Sequence, residues 1–524
     1  MKKFYNLIIG LSGPYGAGCS SLSNDLKQIV DNWPGCKVKT IQVSKLIQNY
    51  YKPIFSKGLK ALDENLPERR KILQQAGTEL RKEDPELIGK IISSEIYKES
   101  LKIEKSDEKT NVDTLVFIID SLKNKYDLDF LKKTYSNEFY FVFIHADKET
   151  RWQRMTDYKA WKMPDRVQFE KRDLVDQNEK NLDPTVKDRG QQVQKLSSRA
   201  DFYIVNNGNR KKMKTEGERF INILFGDEKN QPTIHERYMH LAYSASNASF
   251  CLSRQVGAAI IDARGNILGV GHNDVPKATG GLYSFEDESD MRCYSVGDRR
   301  CINDTNKEER FDDLADEITS KLALKSEQIE ILKKVLEKSP FSEVIEYCRA
   351  AHAEMDALLS VARAGTGSTL NATMYVTTEP CHNCTKHIIC AGIRKVFFME
   401  PYPKSLGLEL HSDAIIIGSE FEKCTGDKVL FIPYEGIAPH RFHDFFAQIS
   451  DRKDDSGKFI VKRKAKQSLE PRFTSNVFKR SREDEKQLDT ISSFEYKSLI
   501  ELADLLKSKE DTQKQEIKDG NDLS

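Results

Sequence analysis

The sequence predicts an α/β protein built from two layered domains, and three observations carry that expectation. Lys3 to Leu11 has the apolar composition of a strand and runs directly into Gly13-Pro14-Tyr15-Gly16-Ala17-Gly18-Cys19-Ser20-Ser21, the strand, glycine loop and helix start of a doubly wound parallel sheet. Thr114 to Ile119 is a continuous apolar run ending in Asp120, as in a buried parallel strand covered on both faces. Downstream, an Ala- and Leu-rich helix, a Thr/Tyr/Val strand, a cysteine-led helix and a further apolar strand follow one another between residues 350 and 399, which is the order of a layered α/β unit. A chain of 524 residues is in any case too long for one ordinary core.

In the amino-terminal part, residues 1–228, the glycines let backbone N–H groups turn inward, and Leu22 to Val30 continues as a helix whose amino end favours an anion. Gly13, Gly16, Gly18, Cys19, Ser20 and Ser21 are therefore the candidate nucleotide-binding residues, with Asp120 at a strand end as the carboxylate for magnesium. Cys19 stands where a phosphate loop carries lysine. A thiol brings no positive charge to the outer phosphates, so cradling of phosphate is retained while efficient phosphoryl transfer is not expected. Phe139 to His145 and Ala200 to Gly208 supply later strands. The region resembles nucleotide kinase-type P-loop domains, with Arg69 to Thr78 and Arg151 to Arg172 similar to their nucleotide-facing helix and basic lid. Magnesium and a nucleoside triphosphate are the cofactors this resemblance implies.

The second part, residues 233–450, holds the residues with the most chemistry in them. His352-Ala353-Glu354 precedes Pro380-Cys381-His382-Asn383-Cys384. One imidazole and two thiolates are three zinc ligands that leave a fourth tetrahedral position open, which is the composition of a catalytic site. Glu354, two residues after a ligand, sits near the metal without replacing a ligand, where a proton carrier belongs. Both motifs fall at expected helix starts, whose unpaired N–H groups favour thiolate at Cys381 and Cys384. Val256 to Asp262 and Asn266 to Gly271 read as a hairpin around Ala263-Arg264-Gly265.

The order His-x-Glu then Pro-Cys-x-x-Cys is that of the zinc-dependent nucleobase deaminases. Together with Ser253-Arg254-Gln255-Val256-Gly257-Ala258 and Gly271-His272-Asn273-Asp274-Val275-Pro276, it makes the stretch from Thr233 to Phe446 resemble a deoxycytidylate deaminase domain. That resemblance implies a cytidine deaminase-like α/β/α layer, zinc on His352, Cys381 and Cys384, and Glu354 as the catalytic proton shuttle. It further implies that Asn273 contacts the nucleotide sugar and Arg254 the phosphate, and that water replaces the amino group at C4 of cytosine in dCMP or dCTP. The fused arrangement resembles the bacterial anti-phage cytidine deaminases, which deplete deoxycytidine nucleotides and some of which are held inactive by a small RNA. An anti-phage role, gating by the P-loop domain, assembly into a homo-oligomer and an inhibitory RNA partner follow as expectations of that resemblance. Two other functions stay open on sequence: deamination of a base within RNA or single-stranded DNA, and an inactive nucleotide-sensing module.

Between residues 277 and 347 the chain carries a charged insertion. Thr279 to Asn306 reads as loop or lid, and Ser326 to Glu337 has helical spacing. Cys293 and Cys301 in this insertion, with Cys348 just after it, are candidates for a second, structural metal, as some deoxycytidylate deaminases carry. Residues 451–524 form a charged extension, partly disordered by composition. Lys458 to Arg482 has nine basic residues against Glu470 alone, a patch suited to RNA or to phosphate-rich ligands. Phe494 to Leu506 reads as a short amphipathic helix.

Composition narrows the rest. Lysine plus arginine (82) balances aspartate plus glutamate (81), for a formal net charge of +1, so no global field draws the chain to nucleic acid or membrane. No apolar run approaches the roughly 20 residues of a membrane span, and the run Leu7 to Leu11, broken by Gly10, is too short for a secretion signal. Ten cysteines at irregular spacing fit a reducing cytoplasm better than a disulfide framework.

Overall fold

A computed structural model describes residues 5–55, 67–106, 114–158, 165–178, 188–225, 231–337, 339, 347–402, 404–418, 428–447, 451, 453–459 and 495–509. The basic patch from Lys458 to Arg482, beyond its first two residues, and the tail beyond residue 509 lie outside them. Two compact units emerge: Met1–Pro232 together with Glu435–Ser524, and Thr233–Tyr434.

In the first unit, β1 (Tyr5–Ser12), β2 (Cys36–Gln42), β3 (Thr114–Asp120), β4 (Phe139–His145) and β5 (Phe202–Val205) are all parallel, in the order β5-β4-β1-β3-β2. Every residue of β3 is buried, because helices cover both faces and leave no polar side to the strand. Leu7, Ile9 and Leu11 of β1 pack with Leu22 and Leu26 of helix Cys19–Asp31 and with Phe220 and Leu224 of helix Arg210–Leu224. The glycine-rich loop lies at the carboxyl end of β1, the usual ligand side of such sheets. Gly18 there has φ +108, and a Cβ would come within 2.5 Å of Asn206 Nδ2, so both conformation and space demand glycine.

The second unit opens with helix Ile234–Ser246, started by a capping box in which Thr233 Oγ1 accepts from Glu236 N and the Glu236 carboxylate accepts from Thr233 N. Its sheet contains β6 (Gly257–Ile261), β7 (Ile267–His272), β8 (Thr373–Thr378), β9 (Lys395–Glu400), β10 (Ile415–Ile417) and β11 (Val429–Pro433), in the order β10-β11-β9-β8-β6-β7. The β6–β7 hairpin and the β6–β8 pair are antiparallel; β8, β9, β11 and β10 run parallel. Helices Ala353–Ala364 and His382–Cys390 share a core with Ile260, Met374, Val376, Val396 and Phe398 of the sheet.

The chain leaves this second unit after Tyr434, so the boundary expected at residue 450 moves. Gly436–Ile437 forms β12, antiparallel to β5. Ala438 N donates to Asp201 O, and Phe445 stands edge-on to Tyr140. Pairing two residues with a strand more than 230 positions earlier leaves no local sequence signal. Residues 495–509 form a helix in the same unit: Glu495 is buried and accepts a 2.8 Å hydrogen bond from Tyr135 Oη, Lys90 pairs with Glu501, and Lys509 pairs with Glu83.

Within the insertion, helices Ile302–Leu322 and Ser326–Glu337 follow a loop. Arg292 pins that loop, with its guanidinium on Asp290 at 2.7 Å and 3.5 Å from Asp274, beside the paired rings of Phe250 and Tyr294. None of the helices among the described residues is long and apolar enough to cross a membrane.

Candidate active site

His352 and Cys381 occupy equivalent places: each is the extended residue that caps a helix amino end, with ψ of 155° and 167° respectively. Their carbonyls accept the first helical hydrogen bonds, from Asp356 N at 2.9 Å and Thr385 N at 2.8 Å. Cys384 follows in the first turn of the second helix and is almost wholly buried. The capping conformation frees both side chains to point ahead of their helices, so that three ligand atoms meet. His352 Nδ1 lies 3.4 Å from Cys381 Sγ and 3.3 Å from Cys384 Sγ.

These separations fit a metal. Tetrahedral zinc with Zn–S near 2.3 Å and Zn–N near 2.0–2.1 Å puts sulfur and nitrogen about 3.6 Å apart. Among the described residues, these three form the only group of metal-ligating side chains whose donor atoms all lie within 4.8 Å of one another. Cys384 and His352 both donate to the Cys381 sulfur and draw its thiol down to about 4, so thiolate is readily available. Sharing that proton, and then burial, holds the Cys384 thiol upward.

Glu354 is the second residue of helix Ala353–Ala364 and is buried at 4% exposure. Burial raises its carboxyl above the usual carboxylate range, against the opposing pull of His352. A carboxyl that holds and releases a proton beside the metal position is what proton transfer to a ring nitrogen requires.

The remaining expected residues divide. Arg254 is half exposed, its Nη1 3.5 Å from Thr378 Oγ1 and 3.6 Å from Glu400 Oε2 at the same end of the sheet. Asn273 is buried and bonded to backbone at both ends of its amide: Oδ1 accepts from Val256 N, and Nδ2 donates to Arg254 O, both at 2.7 Å. It clamps the segment that carries Arg254. Among the described residues, the Cys293, Cys301 and Cys348 expected at a second metal form no group of three donor atoms within 4.8 Å of one another. Cys348 turns instead to His352, whose proximity lowers its thiol pKa, and Cys301 Sγ lies 3.9 Å from Ser253 Oγ. The described cysteines are free thiols.

Sequence reasoning missed three contributors. Glu379, just ahead of the Pro-Cys pair, is pushed up to about 7 by burial and accepts from Tyr402 N, fixing the approach to Cys381. Glu400 stands opposite Arg254, and Arg292 ties the insertion to the segment after β7. Only Glu379 had a readable signal, its adjacency to the motif.

At the first unit's loop, Gly13, Gly16 and Gly18 curve ahead of helix Cys19–Asp31, and Ser20 Oγ donates to Asp120 Oδ2 at 2.7 Å. Ser21 and Cys19 line the same cavity.

Comparison with known proteins gives the site its context. Residues 232–400 match the family described as "Cytidine and deoxycytidylate deaminase zinc-binding region". The deoxycytidylate deaminase of Enterobacteria phage T4 is 31% identical over 167 residues, 32% of this chain and 78% of the phage protein. That of Mycobacterium phage D29 is 26% identical across 33% of this chain and 98% of its own length. A solved dCMP deaminase from the cyanophage S-TIM5, 18% identical, overlies 39% of this chain and all of its own with a TM-score of 0.22. Through the unit that carries His352, Glu354, Cys381 and Cys384, the chain belongs to the deoxycytidylate deaminase family.

Proposed function

We propose that this protein hydrolytically deaminates free deoxycytidine nucleotides, dCMP and dCTP, releasing ammonia and the deoxyuridine nucleotide. The observation that carries this is the buried Glu354 carboxyl beside a His/Cys/Cys triangle of zinc dimensions. His352, Cys381 and Cys384 would hold the zinc. When bound, zinc supplies Lewis acidity that makes water a competent nucleophile near neutral pH. Glu354 would take one proton from the attacking water and pass it to ring N3, then take the proton remaining on the C4 hydroxyl and give it to the amino group, which leaves C4 as ammonia. Arg254, exposed at the carboxyl end of the sheet, meets the nucleotide phosphate. Asn273 sets the position of that arginine through the Arg254 carbonyl, with contact to the sugar as its second role.

In the same reading the first unit is a nucleotide-binding domain that gates the deaminase, and depletion of deoxycytidine nucleotides serves defence against phage. Resemblance to fused anti-phage deaminases supports this, as does the loop geometry at Gly13–Ser21. A homo-oligomer and control by a small RNA belong to the same proposal. Incubating the purified protein with dCMP, dCTP and a cytosine-containing oligonucleotide tests it. Ammonia release from the free nucleotides alone is expected, whereas turnover of the oligonucleotide alone would transfer the assignment to nucleic-acid editing. A nucleotide-pool profile of expressing cells should show cytosine deoxynucleotides falling as dUMP or dUTP rises.

A further inference from the structure

The cavity at the glycine-rich loop, about 880 Å³, is lined by the loop itself, by Asp120 and by several cations. Cys19 cannot be one of the charges: burial pushes its thiol up to about 12, so it is neutral. Yet the cavity retains the carboxylate side of a phosphate site. Asp120 is 7% exposed, its Oδ2 accepts from Ser20, and its Oδ1 has no hydrogen-bond partner among the described residues. A buried carboxylate that lines a cavity beside a serine hydroxyl is a natural ligand for a divalent cation that travels with phosphate.

The missing positive charge has another source. Directly after Asp120 the chain makes an unusual turn, with Ser121 at φ +85, a conformation costly for a residue with a side chain. Leu122 is then fixed against β1, its N donating to Leu11 O at 2.8 Å and its O accepting from Ser12 Oγ at 2.7 Å. The turn delivers Lys123 to the loop, where its Nζ donates to Gly13 O at 2.7 Å and pairs with Asp176 at 3.0 Å. Asp176, itself fully buried, also holds Arg70 at 2.5 Å. One carboxylate is thus shared by two cations. The Arg70 guanidinium in turn lies 3.6 Å over the ring of Tyr15 in the loop.

We propose that Lys123, carried on the turn after β3 rather than on the loop, is the cation that binds the outer phosphates of a magnesium-bound nucleoside triphosphate in this cavity. The ligand's phosphate oxygens replace Gly13 O as acceptor for the ammonium, while Asp176 holds the lysine stem in place from behind. This rests on the reading of the first unit as nucleotide-binding, and the test separates the two.

Binding of MgATP and MgdTTP, neither of which offers a cytosine to the deaminase centre, is measured by calorimetry on the full chain. The parent should bind at least one, and Lys123→Met should weaken it about 10- to 100-fold, the usual loss for a charge-assisted contact to phosphate. Returning the charge to the loop, as Cys19→Lys in the Lys123→Met background, should recover affinity. If Lys123→Met is poorly folded because Asp176 loses its partner, the double variant Lys123→Met/Asp176→Asn removes both charges and should show the same weakening. Equal binding by parent and folded Lys123 variants would overturn the role of Lys123 and leave the nucleotide reading standing. Failure of the parent to bind either triphosphate would overturn both.

Discussion

A single methyl group on Gly271 should damage catalysis by displacing the helix that Gly271 touches. Gly271 lies on β7, where the strand meets the first turns of helix Ala353–Ala364. A Cβ there would stand 2.3 Å from Ala357 N, 2.6 Å from Ala353 O and 2.8 Å from Asp356 C, all of them backbone. Ordinary contact begins near 3.4 Å, so strand and helix must separate by about 1 Å. Backbone cannot rotate out of the way, so the helix moves as a body. That helix carries Glu354 as its second residue and His352 as its cap. A misplacement of about 1 Å costs on the order of 100-fold in rate, and overpacking adds about 1–3 kcal/mol of instability. Gly269→Ala meets mainly the side-chain atoms Ser360 Oγ at 2.5 Å and Val361 Cγ2 at 2.8 Å further along the same helix, so it should lose less activity. The assay is the kcat for dCMP, with zinc content and urea unfolding measured alongside. G271A turning over at the parent rate would refute the argument that this close approach sets the position of the catalytic acid.

Asn273→Ala removes two buried hydrogen bonds to backbone and should cost about 2–4 kcal/mol in urea unfolding, with KM for dCMP rising as Arg254 loses its fixed carbonyl. An unchanged unfolding midpoint would show that the clamp contributes nothing. Arg254→Ala, at a half-exposed position, should raise KM for dCMP while leaving deamination of deoxycytidine, which lacks the phosphate, unaffected. Helix 495–509 should loosen as pH rises. Burial raises the Glu495 carboxyl to about 7, and burial with the charge of Glu495 raises Glu138 to about 8. Both acids bind protons more tightly folded than unfolded, so their contribution is full below about pH 4.5 and is lost through pH 7–8, on the order of 3 kcal/mol for Glu495. Hydrogen exchange across residues 495–509 at pH 6 and pH 9 should show the loss in the parent and not in Glu495→Gln.

The parts legible in sequence were those whose physics is local. A ligand, an acid and a helix cap within three residues at His352–Glu354, and two thiols one turn apart at Cys381 and Cys384, bring their own geometry with them. Thr114 to Ile119 and Phe139 to His145 announced buried parallel strands because both faces are apolar. Strand β2 did not announce itself, since Lys37 and Lys39 are exposed along an edge position that only pairing with β3 explains. The return of Gly436–Ile437 to β5 is pairing with Tyr203 and Phe202, far back in the chain, and no residue type marks it. Cysteine spacing alone does not say where Cys293, Cys301 and Cys348 point, because the direction of each side chain is set by the fold in and beside the insertion. That Asn273 also holds backbone was not legible, because it depends on where Val256 N and Arg254 O come to rest.

The central claim is that Glu354 moves protons beside a zinc held by His352, Cys381 and Cys384. Glu354→Gln, purified and analysed for metal and for ammonia release from dCMP, tests it most directly. The account predicts one zinc per catalytic site, as in the parent, with turnover abolished. Retention of parental turnover by the zinc-loaded variant would contradict it.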